Sequence, residues 1–122
     1  MERTFLAVGA LSAGLAVVAG AFAAHGLRGR LSPDMMAVFE TAARYQMYHA
    51  LGLLAVAAVA GRLAGRGAIP AGWLFVAGTL LFSGSLYLLA LGGPRWLGAV
   101  TPLGGLCFIV GWLALARSAL GG

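Results

Sequence analysis

Two histidines stand in otherwise apolar runs of this chain, His25 in GAFAAHGL and His49 in YQMYHALGLL. An imidazole can take up or release a proton near neutral pH, and either ring nitrogen can ligate a metal or a haem iron. Lipid solvates such a group poorly, so an ionisable residue at membrane depth points to function. Other polar groups keep helical register with them. Tyr45 lies four residues before His49 and Gln46 three, which places all three on one helix face. Thr79, Ser83 and Tyr87 repeat every four residues, with Ser85 among them and Thr101 further on. Glu40 precedes Arg44 by one helical turn, the spacing of an interfacial ion pair.

Each of these groups also has a structural reading. A histidine in a membrane bundle can be a satisfied interior or interface residue. Serine and threonine in such helices commonly bond a backbone carbonyl or a neighbouring helix. Tyr45, Tyr48, Tyr87 and the tryptophans suit the aromatic belt at the membrane interface. Haem or metal chemistry would need more than the two histidines and Glu40, and the chain has no Cys-Xaa-Xaa-Cys-His or His-Glu-Xaa-Xaa-His motif. There is no phosphate-binding glycine loop with lysine and no nucleophile elbow. No cofactor, no metal and no catalytic residue is assigned.

The elements that must position these groups follow from composition. The chain has 122 residues, 61% of them hydrophobic and 9% charged, and a mean hydropathy of +0.97. A soluble domain needs far more charge to cover its surface. The net charge of +5 comes from arginine alone, for there is no lysine. These arginines fall singly between apolar runs, as headgroup anchors do, and form no basic patch for nucleic acid. The lone Cys107 lies inside an apolar run, so there is no disulfide framework.

The apolar runs predict four spans in a single domain, at about 5–24, 41–61, 72–91 and 97–116. The first imitates a signal peptide but is longer than the usual apolar region, and is read as a retained helix. Ser12, Ala16, Gly20 and Ala24 form a small-residue stripe along it. Ser32-Pro33-Asp34 starts the second helix, with a serine cap, proline at the first position and an acid suited to the dipole. Residues 33–44 form its amphipathic start, either continuous with the span or broken from it. Gly92-Gly93-Pro94 stops the third span, and Thr101-Pro102 is a helix start or a kink in the fourth. Gly20, Gly84, Gly104, Gly105 and Gly111 are helix-packing positions within the bundle or against a partner.

The predicted fold is all-α, an integral membrane four-helix bundle of up-down topology. That topology brings His25, Glu40, Tyr45, Gln46, His49, Ser83, Ser85, Tyr87 and Thr101 towards one membrane face, as a shallow polar pocket. Arginine counts on the two sides balance until Arg44 is paired with Glu40, which then favours cytoplasmic termini.

Four blocks, GAFAAHGL, FETAARYQMYHALGLL, LFSGSLY and TPLGGLCFIVGW, together resemble the YgdD-like family of small membrane proteins. This is domain of unknown function 423, which also takes in a eukaryotic small transmembrane protein. The usual first block has glycine where this chain has Ala23. The resemblance implies a multi-pass bacterial inner-membrane protein with four helices and a cytoplasmic C-terminus. It carries no established activity, and it matches at His25, Glu40, Tyr45, Gln46, His49, Ser83, Ser85, Tyr87, Thr101 and Pro102.

The function expected is that of a small binding or accessory protein rather than an enzyme. It would sit in the lipid bilayer against a membrane-protein partner or a second copy of itself, with no nucleic acid. The rival expectation is a ligand- or proton-handling protein that uses a pocket around His25 and His49 for a haem, a metal or a quinone-like headgroup.

Overall fold

The computed structural model describes residues 1–63 and 67–121. These form four helices: α1 (Glu2–His25), α2 (Pro33–Val59), α3 (Ala68–Ala90) and α4 (Leu97–Ala119). There is no strand among the described residues. α1, α3 and α4 are each long and apolar enough to cross a membrane. α2 carries Asp34, Glu40 and Arg44 in its first half and packs against both α1 and α3.

Local chemistry sets the helix ends. The Ser32 hydroxyl accepts from the Met35 backbone N–H at 3.2 Å, Pro33 occupies the first turn, and Asp34 faces the positive end of the dipole. From there α2 runs unbroken for 27 residues, about 40 Å, so the alternative of a separate interfacial helix is not realised. At the end of α3, Gly92 adopts φ +103°. The Gly93 N–H then bonds the Leu88 carbonyl at 2.7 Å and the Gly92 N–H bonds that of Leu89 at 3.2 Å. This paired closure requires a residue at ease in the left-handed region. α4 starts at Leu97 and passes through Pro102 without ending.

A π-helical turn, Thr79–Ser83, interrupts α3. Its extra residue widens the backbone, and α4 meets it with a glycine. A methyl group on Gly104 would collide with the backbone of Phe82. Gly111, seven residues on, lies so close to α3 that a Cβ would come within 2.8 Å of the Phe75 ring. Gly105 makes only ordinary contact with Phe82, at 3.8 Å. Gly20 and Gly84 have open space where a side chain would stand, so no neighbour in this chain requires glycine at either position. The α3–α4 seam is therefore a small-residue seam of the kind membrane helices use for close approach.

Two apolar clusters hold the bundle. One joins Phe5, Leu53, Val56, Ala71, Phe75 and Phe108, near the start of α1 and the loop after α2. The other joins Ala23, Leu27, Phe39 and Ala90 at the opposite end. The buried polar side chains Gln46, His49, Ser83 and Ser85 fall in the stretch between them.

Candidate functional site

The register of α1 on α2 decides which polar groups meet. Gln46 of α2 donates through Nε2 to the backbone carbonyl of Ser12 at 3.0 Å and to its hydroxyl at 3.3 Å. Its Oε1 accepts from the Tyr87 hydroxyl at 2.6 Å. One amide thus ties the middle of α1 and the middle of α2 to the last turn of α3.

His49 is 4% exposed. Its Nδ1 lies 2.7 Å from the Tyr45 carbonyl, and its Nε2 accepts from the Trp112 indole N–H at 3.0 Å. An indole N–H can only donate and a carbonyl can only accept. Those two bonds fix His49 as the neutral tautomer with its proton on Nδ1. Phe108 stacks on the ring at 3.4 Å between centroids and 6° between planes, while Phe75 meets it edge-on at 5.4 Å. Both nitrogens are engaged and Phe108 covers one face of the ring, so the imidazole has no free nitrogen lone pair for a metal.

Of the buried hydroxyls, those of Ser83, Ser85 and Thr101 are bonded, whereas Thr79 Oγ1 and Ser118 Oγ have no hydrogen-bond partner among the described residues. Ser83 donates to the Ala42 carbonyl of α2 at 2.8 Å. Ser85 and Thr101 meet at 2.6 Å across the α3–α4 seam; Ser85 also reaches the Phe82 carbonyl and Thr101 that of Leu97. The α1–α2, α2–α3, α2–α4 and α3–α4 contacts each receive a polar clamp. Bonds of this kind between membrane helices contribute on the order of 1 kcal/mol each.

This placement differs from the shallow pocket expected. His25 is exposed at the end of α1 and does not join the cluster. Because α1 and α2 are antiparallel with Ser12 beside Gln46, His25 lies thirteen residues along α1 from that level, roughly 20 Å. Glu40 is exposed as well, and no carboxylate–guanidinium pair comes within 4.0 Å among the described residues. The expected Glu40–Arg44 pair is therefore not formed. Tyr45 contributes its backbone carbonyl, while its ring lies against Phe82 and Tyr48. Gln46 and His49 sit at mid-length of α2, while Ser85, Tyr87 and Thr101 lie near the end of α3 and the start of α4, and each finds its partner within the protein, as lipid offers none.

Sequence reasoning missed Phe108, and it read Ser12 only as a small packing residue and Trp112 only as an interfacial anchor. Trp112 stood eleven residues past Thr101, too deep in its helix for an interfacial anchor, and that depth was the available signal. Among the described residues, no three of His, Cys, Asp and Glu gather as a metal-ligand group. Between α1 and α3 two lateral grooves, of about 410 and 280 Å³, share Leu15 and Gln46 in their lining.

A family model described as "Protein of unknown function (DUF423)" matches residues 19–105. The chain belongs to this family. The DUF423 segment contains His25, Gln46, His49, Ser83 and Thr101 and ends before Phe108 and Trp112. The chain is 50% identical to a UPF0382 membrane protein of Staphylococcus epidermidis, over 97% of this chain and 96% of that one. It is 48% identical to the UPF0382 membrane protein YwdK of Bacillus subtilis, over 97% of each chain. A UPF0382 membrane protein of Staphylococcus haemolyticus is 50% identical over 95% of this chain and 94% of its own. No solved structure matches. With relatives named as membrane proteins along nearly its full length and three helices suited to crossing a bilayer, this DUF423 chain is an integral membrane protein.

Proposed function

We propose that the protein is a non-catalytic binding or accessory protein of the bacterial inner membrane, acting through lateral contacts in the bilayer. Its termini face the cytoplasm, an orientation supported by the family resemblance. One observation carries the functional reading: the imidazole of His49 and the amide of Gln46 bond other helices, which leaves neither free to hold a ligand. The outward faces, by contrast, are large and apolar. Leu11 is 70% and Leu113 65% exposed, more bare aliphatic surface than a soluble protein leaves uncovered.

Photo-crosslinking in native membranes from Val18 on α1 and Leu113 on α4 tests this reading, together with an absorption spectrum and metal analysis of the purified protein. The expected result is a reproducible protein adduct and a colourless, metal-free sample. A chromophore or stoichiometric metal that disappears in His49→Phe would overturn the reading in favour of ligand handling.

A further inference from the structure

α1 packs chiefly on α2, and a gap separates its middle from α3. The two grooves there, of about 410 and 280 Å³, adjoin at Leu15 and Gln46 and form one slot open sideways to the bilayer. The slot reaches from Val8 and Val76 to Phe22 and Leu91. Fourteen residue steps separate Val8 from Phe22, about 21 Å along the helix. Its width is fixed because the helices are tied at both ends. At one end the Phe5 ring lies against Gly72 and meets Trp73 edge-on at 5.2 Å between centroids. At the other, Ala23, Leu27, Phe39 and Ala90 pack as one cluster. The polar groups of the slot are already accounted for. Both ends of the Gln46 amide are engaged by Ser12 and Tyr87. The Thr79 hydroxyl oxygen, which has no partner, is buried and presents no surface to the slot.

We propose that this slot holds one acyl chain of a phospholipid, laid lengthwise between α1 and α3. Shape, lining and charge argue for that occupant. A helix about 10–12 Å across cannot enter a slot whose walls are tied at both ends. Nor does the rim suit one: Leu15, Phe22, Leu80 and Leu91 are large and exposed, where a helix seat needs small residues. A hydrocarbon chain is thin and flexible, and it restores the dispersion contacts that the walls would otherwise lack. One leaflet is about 15 Å of hydrocarbon, half the core thickness, so the slot accommodates a chain over its whole depth. Charge selects the headgroup. Arg28, Arg30 and Arg95 follow within eight residues of Phe22 and Leu91, all exposed, with Asp34 the acid nearest them in sequence. That surplus of cations beside the slot suits a phosphate and gives an uncharged isoprenoid nothing to hold. The assignment goes beyond the protein contacts proposed above: the lipid seats α1 against α3, and the outward faces stay free for a partner.

The test is photolabelling of the protein in phosphatidylethanolamine vesicles that contain phosphatidylglycerol with a diazirine midway along one acyl chain. Peptide mapping should find label at Leu15 and Leu80, and its yield should saturate as the probe fraction rises. Label at Leu113, on the outward face of α4, should rise in proportion to the probe. Leu15→Trp fills the slot from α1 and should lower the label at Leu80 roughly tenfold. Leu80→Trp does the same from α3 and should lower the label at Leu15, so a folding defect in one variant leaves the other to decide. Leu113→Trp should change neither, and far-UV circular dichroism of each variant confirms its helix content. Slot labelling that is proportional to the probe and indifferent to both tryptophans overturns the bound chain. Saturable labelling by a photoreactive isoprenoid or free fatty acid, but not by the phospholipid, overturns the headgroup assignment. Loss of label in Thr79→Val would show an oxygen-bearing ligand and overturn the acyl chain. None of these results bears on protein adducts at Leu113, so failure here and failure of the lateral-contact reading are told apart.

Discussion

At the scale of single residues, the chemistry depends on where each donor finds its acceptor. The Trp112 indole N–H can only donate, and Nε2 of His49 is its acceptor. Trp112→Phe keeps an aromatic ring beside Phe75 but strands a buried imidazole nitrogen. It should cost about 1–3 kcal/mol, read as a lowered midpoint of unfolding in detergent. His25→Ala, at an exposed helix end, should stay within about 0.5 kcal/mol of wild type in the same assay. The contrast separates two histidines that look alike on the page. His49 was recognisable from Tyr45 and Gln46 at helical spacing. The separation of His25 from it was not, because it depends on how far α1 slides along α2. That slide is set by the Ser12–Gln46 bond and by Gly9, whose missing Cβ lets Ala50 and Leu53 approach.

Among the elements, α3 and α4 show how one wide turn dictates its neighbour. The π turn at Thr79–Ser83 puts the Phe82 backbone against Gly104. Gly104→Ala should therefore push the two helices apart, at a cost of roughly 1–3 kcal/mol. Gly84→Ala adds its methyl group into open space within a helix. It should leave stability unchanged or raise it by up to about 1 kcal/mol. Thermal unfolding of the two variants side by side checks both predictions, and equal destabilisation would mean that the seam is misplaced. Both glycines were predicted as packing positions, and spacing alone does not distinguish them. The distinction needs the π turn, which leaves no periodicity in the sequence. The stop of α3 at Gly92-Gly93-Pro94 and the start of α2 at Ser32-Pro33-Asp34 were legible, because caps are written in consecutive residues.

Across the whole molecule, Gln46, His49, Ser83 and Ser85 lie between two apolar clusters, while Ser118 is buried at the end of α4. Composition was enough to predict an all-α membrane bundle of up-down topology, since lipid admits few other solutions. It was not enough to predict which helices the polar groups tie together. A sequence shows how many polar groups a helix carries, while their partners appear only once the helices are set side by side. The central claim is that these groups clamp helix to helix and that the imidazole of His49 is already bound on both sides. The most direct test is the nitrogen NMR spectrum of His49 in detergent micelles, assigned with the help of His25→Ala and recorded before and after Zn²⁺ is added. The account predicts a proton on Nδ1, a hydrogen-bond correlation from the Trp112 indole N–H to Nε2, and no change with metal. A proton or a metal on Nε2 would contradict it.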